Sequence, residues 1–375
     1  MAKLFFSLSG EGRGHATRVR AAVEELRPHH RISILAPGNA FEFLGPLYKD
    51  TEVHVIPIPG MVFHYDRARR LDLWRTVGGA ACYLRSFSRV RGEIEALLDR
   101  ERPDLVVTDF EPALPRAARR RGIPFVSLTH QHFLLTYDLS SLPWHLRAHA
   151  VYMKWVVGCY YTGQRHNIVS SFYFPPLRRA CRNVTQVGVL LRPEVRRASP
   201  STGEHLVAYL RRFAGPNVLD ALAAVGRPIR IYGLGERPAQ GRLTFHSINE
   251  KRFVADLASC FALVATAGNQ LVGEALFLGK PCFVMPEARN YEQFMNAHFL
   301  AQTGGGAWMG MERVTAAGLR EFSDRRDEFA ARIERSRLDG LPAALHTLER
   351  FLPGPARPRS RRTVSKAAMV PEFTT

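Results

Sequence analysis

TAGNQLVGEALFLGKPCFVMPEARNYEQFMNA, running from Thr266 to Ala297, decides how this chain is read. The apolar run Phe261-Ala262-Leu263-Val264-Ala265 leads into it and predicts a buried strand that ends at Gly268. A helical pattern follows at once, with Glu274 in its second turn. Gly279-Lys280-Pro281 stops that helix, and Cys282 to Pro286 reads as another buried strand. A strand that ends in a glycine turn and opens a helix presents free backbone N–H groups to an anion. Glu274 stands where a carboxylate could accept hydrogen bonds from sugar hydroxyls. Glu292, Gln293 and Asn296 bring further hydroxyl-reading groups to a second helix start. A phosphate at a helix end, a diol on a carboxylate and polar groups beyond it describe a nucleotide-sugar site. Its donor-binding candidates are Gly268, Asn269, Gln270, Glu274, Glu292 and Gln293.

Outward from this stretch, strand and helix patterns alternate. In the first half, strands are expected at 3–9, 31–36, 53–58, 105–108 and 124–128, and helices at 16–26 and 114–121. Residues 71–98 carry apolar side chains near helical spacing, and Gly78, Gly79 and Gly92 are expected to break them into pieces. In the second half, strands are expected at 205–210, 229–232 and 243–246, helices at 218–225 and 251–258, and a last helical pattern over 319–348. Such alternation predicts parallel sheets with helices on both faces. The Pro- and Arg-rich stretch from Val187 to Ser201 reads as the join between two α/β halves facing across a ligand cleft. The expected units are residues 1–188, residues 189–350, and a basic, disordered tail at 351–375.

The first strand runs into Ser9-Gly10-Glu11-Gly12-Arg13-Gly14-His15, a glycine-rich turn opening a helix. It is not the dinucleotide fingerprint. The third glycine comes one position early, and the next strand ends in Ala36-Pro37-Gly38-Asn39 without an acid, which argues against NAD or FAD. Transfer to a hydroxyl needs a base, and a histidine near neutrality suits the task. Asp109, at the end of a predicted strand lining the cleft, is a candidate to orient that base. Glu111 is its rival, and Asp109 has the alternative of capping a helix. His130 and His132 end another strand on the same side. Their spacing allows a metal, but no third ligand lies near, so a place in an acceptor pocket or in the structure is favoured. Arg211 and Arg212 follow a strand end and could neutralise a diphosphate.

These motifs together resemble GT-B glycosyltransferases, in particular the UDP-glycosyltransferases and the lipid II-forming N-acetylglucosaminyltransferase. The matching residues are Gly268, Glu274, Gly279-Lys280-Pro281, Glu292-Gln293 and Asn296-Ala297, with Gly12, Gly14 and His15 on the acceptor side. The resemblance implies two Rossmann-like domains, a nucleotide-sugar donor, most simply UDP-linked, and an acceptor hydroxyl. It further implies that His15 is the base, paired with Asp109 in the segment VVTDFEPAL, and that Phe245 and His246 border the nucleotide base. The expected enzyme is inverting and metal-independent, with no cofactor. Two departures stand out: Asn269-Gln270 in place of small or hydroxyl residues, and Ala16-Thr17-Arg18 where a proline is usual. The alternatives are a UDP-sugar 2-epimerase or nucleotide-sugar hydrolase on the same fold, and a non-catalytic sugar-nucleotide-binding subunit.

Composition bounds the partners. The 375 residues are 46% hydrophobic, enough for two packed domains, and carry a net charge of +18. The positive charge is mostly arginine, which either reflects a coding bias or serves anionic partners such as nucleotide diphosphates and acidic lipid headgroups. Nucleic acid is disfavoured, because no aromatic-and-basic RNA motif or DNA-reading helix pair is present. The five cysteines show no paired spacing, which suits a reducing cytoplasm. Aromatic and basic residues between Leu142 and Tyr161 and the cluster Arg67-Ala68-Arg69-Arg70 suit a membrane interface. The first of these suits a half-buried helix equally. Together they give the expectation of a cytoplasmic enzyme held peripherally on an anionic inner face, acting on a lipid-linked acceptor.

Overall fold

A computed structural model gives the fold and describes residues 1–10, 13–60, 73–160, 163–211 and 214–353. Gly12, Arg67 to Arg70, Tyr161, Arg212 and the tail beyond 353 lie outside the described residues. The first sheet contains β1 (Lys3–Leu8), β2 (Arg31–Ala36), β3 (His54–Pro57), β4 (Leu105–Asp109), β5 (Phe125–Thr129), β6 (His166–Ser170) and β7 (Val184–Val187). Their spatial order is β3-β2-β1-β4-β5-β6-β7, every pairing parallel. The second contains β8 (Leu206–Tyr209), β9 (Ile229–Tyr232), β10 (Arg237–Gln240), β11 (Leu243–His246), β12 (Leu263–Ala265), β13 (Cys282–Val284) and β14 (Gly306–Trp308). Its order is β10-β11-β9-β8-β12-β13-β14, parallel except where β10 hairpins onto β11.

The parallel strands are apolar on both faces because helices cover both. Along β1, Phe6 joins the core on one side of the sheet and Phe5 the core on the other. The second sheet repeats this, with Val264 and Val207 falling in different clusters. The cluster containing Val207 also takes in Phe133, Tyr137 and Tyr173 from the first half, so the two halves share apolar core. The chain crosses back once more. The helix Leu341–Glu349 buries Leu341, Ala344 and Leu348 in the core of the first sheet. Gly340 allows that return, since a Cβ there would stand 2.0 Å from the Gly188 carbonyl oxygen.

Two expectations on helices are corrected. Residues 73–101 form one helix, Leu73–Glu101, without a break at the glycines. Val90, Ile94 and Leu98 bury one stripe of it on the sheet, and that packing outweighs the roughly 1 kcal/mol helix penalty of a glycine. The pattern over 319–348 is three helices, Ala316–Asp324, Arg326–Ala331 and Leu341–Glu349. Periodicity alone did not show β6, β7, β10 or β14. Among the described residues, no helix is long and apolar enough to cross a membrane.

Candidate active site

Ligands of open parallel sheets bind beyond the carboxyl ends of the strands, where the strand order reverses. In the first sheet that point lies between β1 and β4. Leu8 and Asp109 are register partners across these strands. The chain leaving β1 therefore enters the helix Arg13–Leu26 beside the Asp109 carboxylate. His15 Nδ1 lies 3.0 Å from Asp109 Oδ1. Arg18, one turn further along the helix, donates from Nη1 to both Asp109 oxygens at 2.8 Å. Asp109 and Arg18 are buried to 1% and 3% exposure. Burial opposes ionisation of Asp109, but the Arg18 guanidinium and the hydrogen-bonded His15 ring outweigh it and hold the carboxyl below the usual carboxylate range. Phe110 follows with φ +58°, a left-handed conformation that is strained for a bulky residue. This turn lays its ring parallel to His15 at 6.3 Å and to Tyr160 at 4.8 Å.

In the second sheet the order reverses between β8 and β12. Gly268 leaves β12 and begins the helix Asn269–Phe277, and no side chain caps that start. The space beside the Gly268 α-carbon is open, with nothing within 4 Å of where a Cβ would stand. The two helix starts meet: a Cβ on Gly14 would lie 3.8 Å from Gln270 Cβ. The His15–Asp109 pair of one sheet is thereby set near an uncapped helix N-terminus of the other.

Several predicted donor residues are turned elsewhere. Asn269 does not offer its amide to a phosphate. It accepts from the Phe172 N–H at 3.2 Å and donates to the Ser170 carbonyl at 3.2 Å, which ties the helix start to the first half. Gln270 donates to the Leu190 carbonyl at 2.8 Å and to Glu274 at 3.1 Å. Glu274 is not open to a diol. It is 1% exposed, and both its oxygens are held by Arg192. Gln293 folds back on the turn before its helix, accepting from the Glu287 N–H and donating to the Glu287 carboxylate. Arg211 pairs with that same carboxylate at 3.3 Å. Phe245 is core, and His246, half-buried at the end of β11, packs against Tyr232. Glu292 keeps 41% of its side chain accessible, 4.0 Å from His130 Nε2 and within electrostatic reach of His15, Arg18 and Asp109.

The acceptor-side candidates divide in the same way. Gly14 lies at the meeting of the helices. Glu111, rather than Asp109, serves the start of the helix Ala113–Arg120: its carboxylate accepts from the Ala113 and Leu114 N–H groups at 2.6 and 2.9 Å. Burial pushes its pKa up even so. His130 is buried, with Nδ1 3.0 Å from the Ser170 carbonyl and Nε2 3.2 Å from the Asn296 amide oxygen. His132 is buried beside Ser127. Burial drops their pKa values to about 3 and about 4, so both are held neutral among their hydrogen-bond partners. Asn296 is a bolt between the halves, accepting from the Tyr173 hydroxyl and donating to the Ala267 carbonyl. The sequence reading did not single out Arg192 or Phe110 and noted Arg18 only as a departure. For Arg18 a signal was present, since it falls one helical turn after His15 and so on the same face.

This pairing of two facing Rossmann-like sheets, with polar sites at both reversal points, is the GT-B glycosyltransferase architecture. The chain belongs to glycosyl transferase family 1, whose model matches residues 2–326. Among solved structures, the kitacinnamycin glycotransferase is 17% identical with a TM-score of 0.66, covering 94% of this chain and 99% of that one. The calicheamicin glycosyltransferase CalG4 is 18% identical with a TM-score of 0.64, covering 94% and 98%. Arabidopsis thaliana UGT89C1, complexed with UDP-L-rhamnose, is 12% identical with a TM-score of 0.67, covering 93% and 98%. These likenesses are in fold. No curated protein matches the chain.

Proposed function

We propose that the protein transfers a sugar from a nucleotide diphosphate donor to an acceptor hydroxyl with inversion. The observation that carries this is the His15–Asp109 pair set near the uncapped helix start at Gly268. In this reading Asp109 holds His15 through Nδ1, leaving Nε2 to take the proton of the acceptor hydroxyl. The acceptor oxygen forms its bond to the anomeric carbon as the bond from that carbon to the donor phosphate breaks. The leaving diphosphate carries away the electron pair, and the N–H groups after Gly268 offset its growing charge. That charge stabilisation supports a metal-independent reaction without a cofactor. Glu292 faces the sugar.

UDP is the first choice of nucleotide. UGT89C1 was solved with UDP-L-rhamnose, and the Streptomyces sp. SF2575 glycosyltransferase SsfS6 with thymidine diphosphate. A lipid-linked acceptor at an anionic surface is supported by the helix Trp144–Tyr160. It carries Arg147 and Lys154, has no acidic residue, and exposes Trp144, Val151, Tyr152 and Trp155 by 59–75%. A cytoplasmic, membrane-peripheral enzyme follows from that reading. The test is incubation with a panel of UDP- and TDP-sugars, with and without hydroxyl acceptors, followed by mass spectrometry. Acceptor-dependent glycoside is expected. A rapid change in the sugar without any acceptor would overturn transfer in favour of epimerisation or hydrolysis.

A further inference from the structure

Asp109 serves two basic side chains at once. His15 meets one of its oxygens at 3.0 Å, while a single nitrogen of Arg18 bridges both at 2.8 Å. A buried carboxylate with a histidine as its only cationic partner would favour the imidazolium. A base must start neutral to accept a proton, so an undivided Asp109 would disable the group it orients. Among the described residues, the other groups around the pair do not supply a second cation. His130 and His132, beyond β5, are neutral, and Glu292 on the helix Tyr291–Thr303, whose pKa burial raises, is a second carboxylate that when ionised would also favour a charged His15. Phe110 lies parallel to the ring and carries no charge. Among the described residues, Arg18 is the permanent cation in contact with Asp109, and at 3% exposure it is walled in with its charge committed to that site.

We propose that Arg18 is a positioning residue of the transfer site, dividing the Asp109 carboxylate so that it orients His15 without holding it as a resident cation. The guanidinium suits this because its permanent charge does not vary with pH. It also secures the carboxylate geometry at the end of β4, since bridging both oxygens stops the group from rotating about its last bond. This assignment rests on the reading of His15 as the base, but its consequence for the His15 ring exists in the protein without substrate.

The experiment is NMR titration of ring-labelled histidines in the substrate-free full chain, with the His15 signal assigned through His15→Gln. Arg18→Met should move the His15 midpoint up by about one pH unit or more, since one neighbouring cation is lost. Arg18→Lys, which keeps the charge but not the bridging geometry, should move it in the same direction by less, and serves if the Met variant does not fold. With substrates, the acid limb of kcat/KM should move up alongside, so that at a fixed pH on that limb the rate falls about tenfold for each pH unit by which the midpoint rises. An unmoved His15 midpoint in a folded Arg18 variant would overturn the proposal, because a purely structural arginine would leave it unchanged. If instead His15→Ala keeps normal turnover, the base reading fails, and the titration still decides whether Arg18 divides Asp109.

Discussion

Arg192 and Glu274 form a buried ion pair in which Nη2 donates at 2.7 Å to one carboxylate oxygen and Nε at 3.2 Å to the other. Arg192 lies in the join between the two halves. Its remaining nitrogen pairs with Glu250, which also pairs with Arg20 on the helix that carries His15. The carboxylate expected to read the donor thus belongs to a network that reaches the acceptor side. Arg20 adds a second pair to Glu194 in the join.

Breaking this pair from one side should be costly. Arg192→Ala leaves Glu274 buried without its cation and should destabilise the protein by about 3–5 kcal/mol. Arg192→Met with Glu274→Met should recover most of that loss, because two apolar side chains leave no stranded charge. Urea denaturation of both variants checks this. An Arg192→Ala protein within about 1 kcal/mol of the parent would contradict it.

His15→Ala should reduce turnover by about a hundredfold or more, the usual magnitude for loss of a general base. Donor affinity should change little, since His15 stands on the sheet opposite Gly268. Steady-state kinetics with calorimetry of nucleotide binding separates the two. Turnover near normal would remove His15 from the base role, and Glu111 could not take its place, being committed to the helix cap.

Acid should weaken the fold before its carboxylates titrate. His130 and His132 are lowered to about 3 and about 4, whereas in the unfolded chain each binds a proton near pH 6.5. Between those limits the unfolded chain holds more protons, so stability falls as pH falls, by about 1.4 kcal/mol per pH unit for each histidine. From pH 7 to pH 5 the two together should remove about 4 kcal/mol. Asp109, whose folded pKa is depressed, adds a loss in the same direction at still lower pH, as it protonates. Denaturation curves at pH 7 and pH 5 measure the effect, and His132→Asn should remove about half of the pH dependence.

Anionic vesicles should bind the protein at low salt and release it at high salt, each basic group near the surface contributing about 1 kcal/mol. Trp144→Ala with Trp155→Ala should weaken the association without unfolding the chain, because both rings are about three-quarters exposed. Sedimentation with phosphatidylserine vesicles reads it directly. Absence of binding at low ionic strength would remove the membrane surface from the proposed function.

The sequence alone determined the two-sheet plan, the strands at 31–36, 229–232 and 243–246, the glycine turns at both sheet ends and the candidacy of His15 and Asp109. These are local matters. A buried parallel strand must be apolar throughout, and a chain that turns tightly into a helix needs glycine. Tertiary structure decided what each polar side chain faces. Asn269 looks the same in sequence whether it meets a phosphate or a carbonyl 99 residues away, and the packing of the two halves chose the carbonyl of Ser170. Glu274 read as a diol acceptor until the chain at the join brought Arg192 onto it from 82 residues away. Glu111 and Asp109 are two positions apart, and only the direction in which Phe110 turns at φ +58° sends one to a helix start and the other to His15. A side chain's chemistry is written in the sequence, but its partner is set by contacts between distant segments, whose geometry exists only once both cores have packed.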